Sequence, residues 1–461
     1  MKKCRFFLIS LLLLVSCLPF TTAGAAYNSI LEELEPRSGI ILLQSLEDGT
    51  VIFEQNAAQR TPPASLTKIV TAILTLENCP NLEAMVSVPQ HVIDSLANTG
   101  SSNAGLKAGE EVTVADLLRC MLIPSANEAA ATLADYISGG NTQAFVDNMN
   151  VFVERLGCKD THFMTPHGLD TEGQYTTAAD MAKIMTYALT FSQSEFFEET
   201  VSMVSYTLPA SNMHEHERTI RNTNFLLNTG YSDYYCKYVT GGKTGSTSGA
   251  GKCVVAKASS GGYSYLAVIM NAPHDDIDHD GYEENGAFTD AKLLFEWVFK
   301  NIRYESVLLA SEAAAEVPVR LSSDTDHLTL VPAENVFAFV PTGVSENSVL
   351  VKVVDGTLPA SVDAPIKKGD KIAEAAVLYA DQEIARADLV AAEDVQRNVF
   401  LFIGSILKSI VMHPIVRTIL IVLALLVAAY IVFVLYARKQ SKKKRKQKNR
   451  SEKVVRMKDF K

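Results

Sequence analysis

Cysteine is scarce in this sequence, with seven among 461 residues, and no two of them have C-x-x-C spacing. Two fall within the first 17 residues, which leaves an odd number in the rest of the chain. The remaining cysteines are Cys79, Cys120, Cys158, Cys236 and Cys253. A disulfide framework needs paired cysteines in a short chain, and a zinc ribbon needs closely spaced pairs. We therefore predict buried, apolar thiols in place of either.

Acidic residues are absent from residues 1–25, and the last 24 residues have only two. That last segment, residues 438–461, carries 13 lysines and arginines, although the whole chain has a net charge of −10. The folded body is therefore acidic, which argues against nucleic-acid binding, because phosphate contacts need a basic folded face. Apolar residues make up 48% of the chain, enough for a sizeable core, so wholesale disorder is excluded.

The first long hydrophobic run follows Lys2, Lys3 and Arg5 and extends over Phe6–Val15. Ten residues are too few to span a bilayer as a permanent helix. Because the small residues at positions 23–25 offer a cleavage site, residues 1–25 are predicted to be a secretory signal peptide. An alternative is a lipoprotein signal that would place a lipid on Cys17.

The second run, residues 418–437, has 20 residues without a charge and is followed at once by Arg438 and Lys439. This length covers about 30 Å of hydrocarbon, so a transmembrane helix is predicted, with a buried core helix as the alternative. Positive charge favours the cytoplasmic side, which predicts a basic cytoplasmic tail at 438–461 and an extracytoplasmic body. Residues 397–417 are predicted to be an amphipathic linker, either interfacial or simply leading into the membrane.

The body divides near residue 305. Residues 26–305 alternate helical patterns with short strands, including helix starts capped by Thr113 and Thr177, which indicates an α+β domain. Cys253–Ala258 and Tyr263–Met270 are predicted to form a hairpin through the intervening serines and glycines. Residues 306–396 contain short alternating strands separated by turn residues, typical of a small β-sandwich domain.

The first motif with chemical meaning is Ser65-Leu66-Thr67-Lys68, which precedes an apolar helical stretch. Residues i and i+3 on a helix share a face, so the lysine would lie one turn from the serine hydroxyl. A neutral lysine could accept the serine proton if burial or a second cation lowered its pKa. Taken alone, the motif is equally typical of a capped surface helix.

Two more motifs follow, Ser125-Ala126-Asn127 and Lys243-Thr244-Gly245. Taken alone, the serine of the first would make a good helix N-cap. The second resembles the end of a phosphate-binding loop, but Lys237 occupies the position of that loop's first glycine, so a nucleotide site is rejected. These two motifs and the first, Ser65-Leu66-Thr67-Lys68, have together the order and spacing of the active-site set of penicillin-binding proteins and serine β-lactamases.

The chain also resembles the D-alanyl-D-alanine carboxypeptidases among the low-molecular-mass penicillin-binding proteins. The resemblance covers residues 27–396 and rests on four stretches, around Arg60–Lys68, Pro166–Asp170, Asn222–Asn224 and Ala364–Asp370. Ser-Ala-Asn-Glu stands where the family usually has Ser-Gly-Asn-Asp, and a membrane span replaces the amphipathic helix that ends many relatives. The resemblance implies the penicillin-binding or β-lactamase-like transpeptidase fold, an antiparallel sheet with helices, ahead of the β domain.

Carried over to these positions, the resemblance implies that Ser65 is the nucleophile, Lys68 its general base and Ser125 a proton relay. Substrate binding falls to the residues of the other motif positions and their neighbours: Asn127, Lys243, Thr244, Gly245 and Ser246. The backbone N–H groups of Ser65 and Ser246 would form the oxyanion hole. The implied substrates are peptidoglycan stem peptides ending in D-Ala-D-Ala, with β-lactams as covalent inhibitors and no metal or cofactor.

Two alternatives come from other readings of the same motifs. A β-lactamase shares the three motifs, but the β domain and the membrane span argue against it. A catalytically silent penicillin-binding or scaffolding protein would not need all the motif residues intact.

Two further clusters resemble metal sites without matching them. The segment from Asp276 to Gly281 begins like a calcium loop but has Ala287 where the twelfth-position glutamate belongs. His214-Glu215-His216 lacks zinc-site spacing and predicts an exposed turn.

Overall fold

The computed structural model describes residues 34–276, 283–342, 348–379 and 381–456. The signal peptide predicted at residues 1–25, its alternative lipid site at Cys17 and the central part of the acidic loop near residue 280 lie outside the described residues. By internal contacts the described chain forms two compact units. The first contains the described residues up to Leu308, with Val336–Lys352 and Ala376–Arg386, and the second contains the rest.

Eight α-helices lie in the described part of the chain before residue 305. They are Lys68–Asn78, Gln90–Leu96, Val114–Leu122, Asn127–Ile137, Thr142–Arg155, Ala178–Ala188, Ser194–Ser202 and Gly286–Asn301, with short 3₁₀ turns at Ala64–Thr67 and Phe225–Leu227. The helix starts predicted at Thr113 and Thr177 are confirmed. Each threonine hydroxyl accepts a hydrogen bond from the backbone N–H three residues on, at 3.0 and 3.1 Å.

The central sheet has five strands, and every pairing in it is antiparallel. In spatial order they are Val51–Gln55, Ile40–Ser45, Tyr263–Ala272, Gly251–Ser260 and Val239–Thr247. The predicted hairpin is confirmed, although its strands extend further than the hydrophobic pattern indicates. The turn consists of Gly261 and Gly262 alone. Both have positive φ, which a tight two-residue hairpin turn requires.

Both faces of this sheet are buried, which sets the layering of the unit. Along the strand Ile40–Ser45 every residue is buried, with Ile40 and Leu42 on one face and Ile41 and Leu43 on the other. The first face packs against the helix Ala178–Ala188, and the second against Gly286–Asn301. The five cysteines within the described residues are buried free thiols, as predicted.

Shorter strands complete the described structure. Small pairs form between Met85–Ser87 and Glu111–Thr113, between Ser205–Leu208 and Arg218–Arg221, and between His274–Asp275 and Glu284–Asn285. Ile302–Leu308 pairs with Val336–Pro341. A six-stranded sheet follows in the order Leu350–Val353, Lys371–Tyr379, Gln382–Ala391, His327–Pro332, Ala315–Arg320 and Val362–Asp363. The predicted β-rich character after residue 305 is confirmed.

Two helices end the described chain, Val399–Met412 and Pro414–Arg456. Within the second, Pro414–Lys446 is long and apolar enough to cross a membrane, and its most apolar window is not buried. A core helix would be covered by the rest of the protein, so the core-helix alternative is not supported. One C-terminal apolar helix with the properties of a membrane anchor is therefore present.

Candidate active site

The first motif is built on a tight turn that leads directly into a helix. Ser65 lies in the 3₁₀ turn Ala64–Thr67, and Lys68 is the first residue of the helix that follows. Ala64 has φ +48°, a left-handed conformation that non-glycine residues rarely adopt. Strained backbone of this kind recurs next to functional groups, and here it directly precedes the serine.

Lys68 is completely buried, and its amine has three oxygen neighbours. The Nζ atom lies 2.8 Å from Ser65 Oγ, 2.6 Å from Asn127 Oδ1 and 2.8 Å from the carbonyl oxygen of His167. The amide and carbonyl oxygens can only accept, whereas the serine hydroxyl can also donate. A neutral amine, with two hydrogens and one lone pair, fits all three neighbours.

The electrostatic surroundings of Lys68 favour that neutral state. Burial lowers its pKa well below the usual value, and the positive charge of Lys243 lowers it further, while Glu128 acts in the opposite direction. A lysine can act as a base when burial or a second cation lowers its pKa, and Lys68 has both. The Ser65 hydroxyl therefore lies within hydrogen-bonding distance of an amine whose surroundings disfavour protonation.

The second motif bends sharply before a helix begins. Ser125 has φ +67°, and the helix N-cap is Ala126, so the reading of Ser125 as an N-cap is wrong. The left-handed backbone directs the serine away from the helix end, and its Oγ accepts a hydrogen bond from Lys243 at 2.9 Å. Asn127 is the first helical residue, and its backbone N–H donates to the carbonyl of Ser102 at 2.9 Å.

The third motif lies on Val239–Thr247, the edge strand of the central sheet. Lys243 is buried, and its amine donates to Ser125 Oγ and to the carbonyl of Thr244, both at 2.9 Å. Burial lowers the pKa of Lys243 to about 7. An ammonium has three donors, so one remains for an incoming acceptor after these two contacts. Lys243 forms no ion pair with any residue in the described part of the chain.

Gly245 brings this edge strand against the nucleophile turn. A Cβ added at Gly245 would lie 3.3 Å from the backbone nitrogen of Ser65 and 3.1 Å from the Cβ of Ala64. Glycine therefore permits a backbone approach that a side chain would obstruct. Ser246, the next residue, is exposed on the same strand. The strand thus connects Lys243 and Thr244 to the Ser65 turn.

The loop after Pro166 closes the helix side of the site. Gly168 has φ +85°, and a Cβ there would lie 1.9 Å from the carbonyl oxygen of Ala64, which leaves no space for a side chain. Burial is the largest cause of the lowered pKa of His167, which is about 3. Its ring nitrogen Nδ1 accepts from the backbone N–H of Leu169 at 3.3 Å. His167 thus helps to order the loop.

Two hydrogen-bonding contacts in the site could not be predicted from the residue types. The His167 carbonyl on Lys68 is a backbone group, so no residue type signals it. The hydroxyls of Thr223 and Thr244 lie 2.5 Å apart, and the only sign of this was the resemblance around Asn222–Asn224. His214 forms an isolated β-bridge with Ser211, and its Nε2 atom lies 3.5 Å from Glu110 Oε2. No cluster of metal-binding side chains occurs among residues for which the structure gives positions.

A serine hydroxyl beside a neutral lysine, with a second buried lysine nearby, is the arrangement of an enzyme that forms an acyl intermediate on serine. Comparison with known proteins agrees. The family model described as D-alanyl-D-alanine carboxypeptidase matches residues 28–274, and that of the penicillin-binding protein 5 C-terminal domain matches residues 304–397.

Individual relatives extend over most of the chain. The D-alanyl-D-alanine carboxypeptidase DacD of Escherichia coli is 30% identical over 367 residues, 78% of this chain and 87% of its own. DacF of Bacillus subtilis is 27% identical over 394 residues, 84% of this chain and 95% of its own. The crystal structure of penicillin-binding protein 5 from Haemophilus influenzae is similar with a TM-score of 0.57 at 28% identity, covering 79% of this chain and 98% of that one.

The chain belongs to the D-alanyl-D-alanine carboxypeptidase family. The family, the fold class and the enzyme class predicted from the sequence, a serine-type carboxypeptidase among the penicillin-binding proteins, are confirmed.

Proposed function

We propose that this protein removes the terminal D-alanine from peptidoglycan stem peptides ending in D-Ala-D-Ala, through an acyl-enzyme on Ser65. The observation that carries the proposal is the 2.8 Å contact between Ser65 Oγ and the buried Lys68 amine. A serine hydroxyl is a weak nucleophile until a base accepts its proton, and a neutral lysine at this distance is such a base.

In the acylation step, Ser65 Oγ attacks the carbonyl carbon of the penultimate D-alanine while its proton passes to Lys68. The backbone N–H groups of Ser65 and Ser246 stabilise the resulting oxyanion. Collapse of this intermediate breaks the C–N bond, and the proton held by Lys68 passes through Ser125 to the departing nitrogen, which leaves Lys68 neutral again. Water then attacks the ester carbonyl and gives a proton to Lys68. That proton returns to Ser65 Oγ as the ester bond breaks, which releases the shortened peptide and free Ser65.

The other motif residues hold the substrate. Asn127 binds the substrate amide and, through Oδ1, positions Lys68. Lys243 binds the terminal carboxylate with its remaining donor, and Thr244 assists. The buried hydroxyl–ammonium contact between Ser125 and Lys243 supports this division, since it joins the relay to the carboxylate site.

The same site accounts for covalent inhibition by β-lactams, whose ring carbonyl would acylate Ser65 and whose carboxylate would bind Lys243. A β-lactamase would hydrolyse that ester rapidly. A carboxypeptidase of this family is instead expected to retain it, so the lifetime of the penicilloyl ester separates the two activities.

The domain arrangement and the cellular location are part of the proposal. Residues 1–25 direct export, residues 26–305 form the catalytic domain, and residues 306–396 form the β domain. Residues 397–417 lead to a membrane span at 418–437, and residues 438–461 remain in the cytoplasm. The two family matches and the exposed apolar helix support this order, which places the active site outside the membrane, where peptidoglycan is found.

Mass spectrometry of the full-length protein in detergent after brief exposure to penicillin tests this function. The expected result is one adduct per chain, mapped to Ser65, and D-alanine release from a D-Ala-D-Ala peptide that Ser65→Ala abolishes. Labelling of another serine, or D-alanine release that survives Ser65→Ala, would refute the assignment.

A further inference from the structure

Glu128 is a buried carboxylate next to Asn127 that the proposed mechanism does not use. It is 4% exposed and forms no ion pair with any residue the structure describes. Burial raises its pKa. A buried carboxylate is costly unless hydrogen bonds satisfy its oxygens, so its partners indicate what it does.

The partners of Glu128 are backbone N–H groups of a segment without regular secondary structure, residues 101–106. The N–H of Ala104 donates to Glu128 Oε1 at 2.6 Å, and that of Leu106 donates to the same oxygen at 3.5 Å. Because helix and sheet bonds do not hold this segment, the carboxylate supplies contacts that its backbone would otherwise lack.

The other side of the segment is also held. Arg218 Nη1 donates to the carbonyl of Gly105 at 3.0 Å, and Arg218 in turn pairs with the buried carboxylate of Glu110 at 2.6 Å. Residues 101–106 are thus fixed between Glu128, on the helix Asn127–Ile137, and Arg218, on the strand Arg218–Arg221. His214 Nε2 lies 3.2 Å from the same Gly105 carbonyl, so the strand side holds the segment through two side chains.

The segment also contacts the active site directly. The carbonyl of Ser102 accepts the backbone N–H of Asn127 at 2.9 Å, and Asn127 Oδ1 accepts from Lys68 at 2.6 Å. Glu128 therefore fixes the segment that fixes Asn127, and Asn127 fixes the base.

We propose that Glu128 is a positioning residue for acylation, which acts by holding residues 102–106 against Asn127 and so keeps the Asn127 amide oxygen on Lys68. The inference rests on the proposed function, because it assigns a role within that reaction. A simpler role is also open to this residue, since an acidic side chain in the first turn stabilises a helix by itself. The two roles predict different effects of Glu128→Ala on the acylation rate when Asn127 is replaced by alanine.

The test is a double-mutant cycle that combines Glu128→Ala with Asn127→Ala, read as the rate of Ser65 acylation by a fluorescent penicillin. Glu128→Ala is expected to slow acylation by about 10- to 100-fold in the wild type and by less than about 3-fold in Asn127→Ala. Glu128→Gln, which keeps an acceptor oxygen, should stay within about 5-fold of the wild type. Asp135→Ala, a carboxylate lost two turns along the same helix, is the matched control and should acylate at the wild-type rate.

A second measurement does not depend on activity. Hydrogen exchange of the Asn127 backbone N–H should become at least about 10-fold faster in Glu128→Ala and remain at the wild-type rate in Asp135→Ala. If Glu128→Ala does not fold, Glu128→Asp, one methylene shorter, replaces it under the same criteria. Equal slowing on both backgrounds, or unchanged exchange at Asn127, would overturn the proposal. A wild type that does not acylate at all would refute the proposed function, whereas the exchange result would still judge the contact network.

Discussion

The helix side and the strand side of the site each bury a lysine, and the two lysines are prepared for different tasks. Lys68 contacts three oxygens, one of them Ser65 Oγ, and its pKa is lowered by burial and by the charge of Lys243. Lys243 contacts two oxygens, and burial alone lowers its pKa to about 7. Under the proposed function, the same residue type serves as a neutral base in one place and as a cation in the other.

The difference shows how each lysine depends on the other. A charged Lys243 makes protonation of Lys68 less favourable, which keeps the base neutral. A substrate carboxylate bound at Lys243 would favour the charged form there, because an opposite charge nearby raises the pKa of a lysine. Substitutions that remove one function and retain the other can separate the two sides.

The largest effect is expected at the base. Lys68→Ala should slow acylation of Ser65 by about 10²- to 10⁴-fold, because the hydroxyl loses its proton acceptor. Lys68→Arg is the matched control, since arginine keeps the charge but does not release its proton. Stopped-flow acylation by a fluorescent penicillin measures both variants. An arginine variant as fast as the wild type would show that Lys68 is not the base.

The next effect is expected at the strand lysine. Lys243→Ala should lower kcat/KM on a D-Ala-D-Ala peptide. The loss of transition-state stabilisation should be about 2–4 kcal/mol, the range for loss of one partner of a buried charge pair. Lys243→Arg keeps a cation and should recover part of that loss. Steady-state release of D-alanine is the measurement. If Lys243→Ala kept full kcat/KM, no carboxylate would be bound there.

An effect of similar size, on stability and not on catalysis, is expected from Gly168→Ala. The added Cβ would meet the Ala64 carbonyl at 1.9 Å, so either the turn that carries Ser65 or the loop must move. We expect a loss of about 2–4 kcal/mol in the free energy of unfolding. Gly173→Ala is the matched control, because Gly173 also has positive φ, +86°, but its nearest neighbour would be 3.7 Å away. Thermal unfolding of both variants should rank Gly168→Ala lower, and equal transitions would show that the clash is relieved without cost.

The smallest effect is expected in the pH dependence of kcat/KM. As pH rises through about 7, free Lys243 loses its proton, so kcat/KM for a peptide with a free carboxylate should fall on the alkaline side. Lys68 has its pKa well below the usual value, so its loss of basicity should appear only on the acid side. The pH profile of kcat/KM measures both limbs. An alkaline limb that persists in Lys243→Ala would assign it to another group.

The sequence predicted the helix side of the site better than the strand side. Ser65 and Lys68 are three residues apart on one turn, so local geometry alone brings them together. Ser125 and Lys243 are 118 residues apart, and only the family resemblance linked them. Local rules made Ser125 an N-cap, whereas its left-handed backbone at φ +67° turns it toward Lys243.

Other features had no signal in the residue types. The contact of the His167 carbonyl with Lys68 comes from the backbone, and the close approach at Gly168 depends on how a distant loop packs. The hydrophobic pattern predicted the hairpin 251–272 but ended its strands too early, because the turn needs only two glycines. Tertiary packing decided these features.

The most direct test of the division between the two lysines compares a D-Ala-D-Ala peptide with the same peptide amidated at its terminal carboxylate. In the wild type, the amidated peptide should be a poor substrate. Lys243→Ala should reduce kcat/KM strongly for the free peptide and little for the amidated one, whereas Lys68→Ala should reduce both by the same factor. If Lys243→Ala penalises the two peptides equally, then Lys243 acts on the nucleophile or the fold, and its assignment as the carboxylate anchor is wrong.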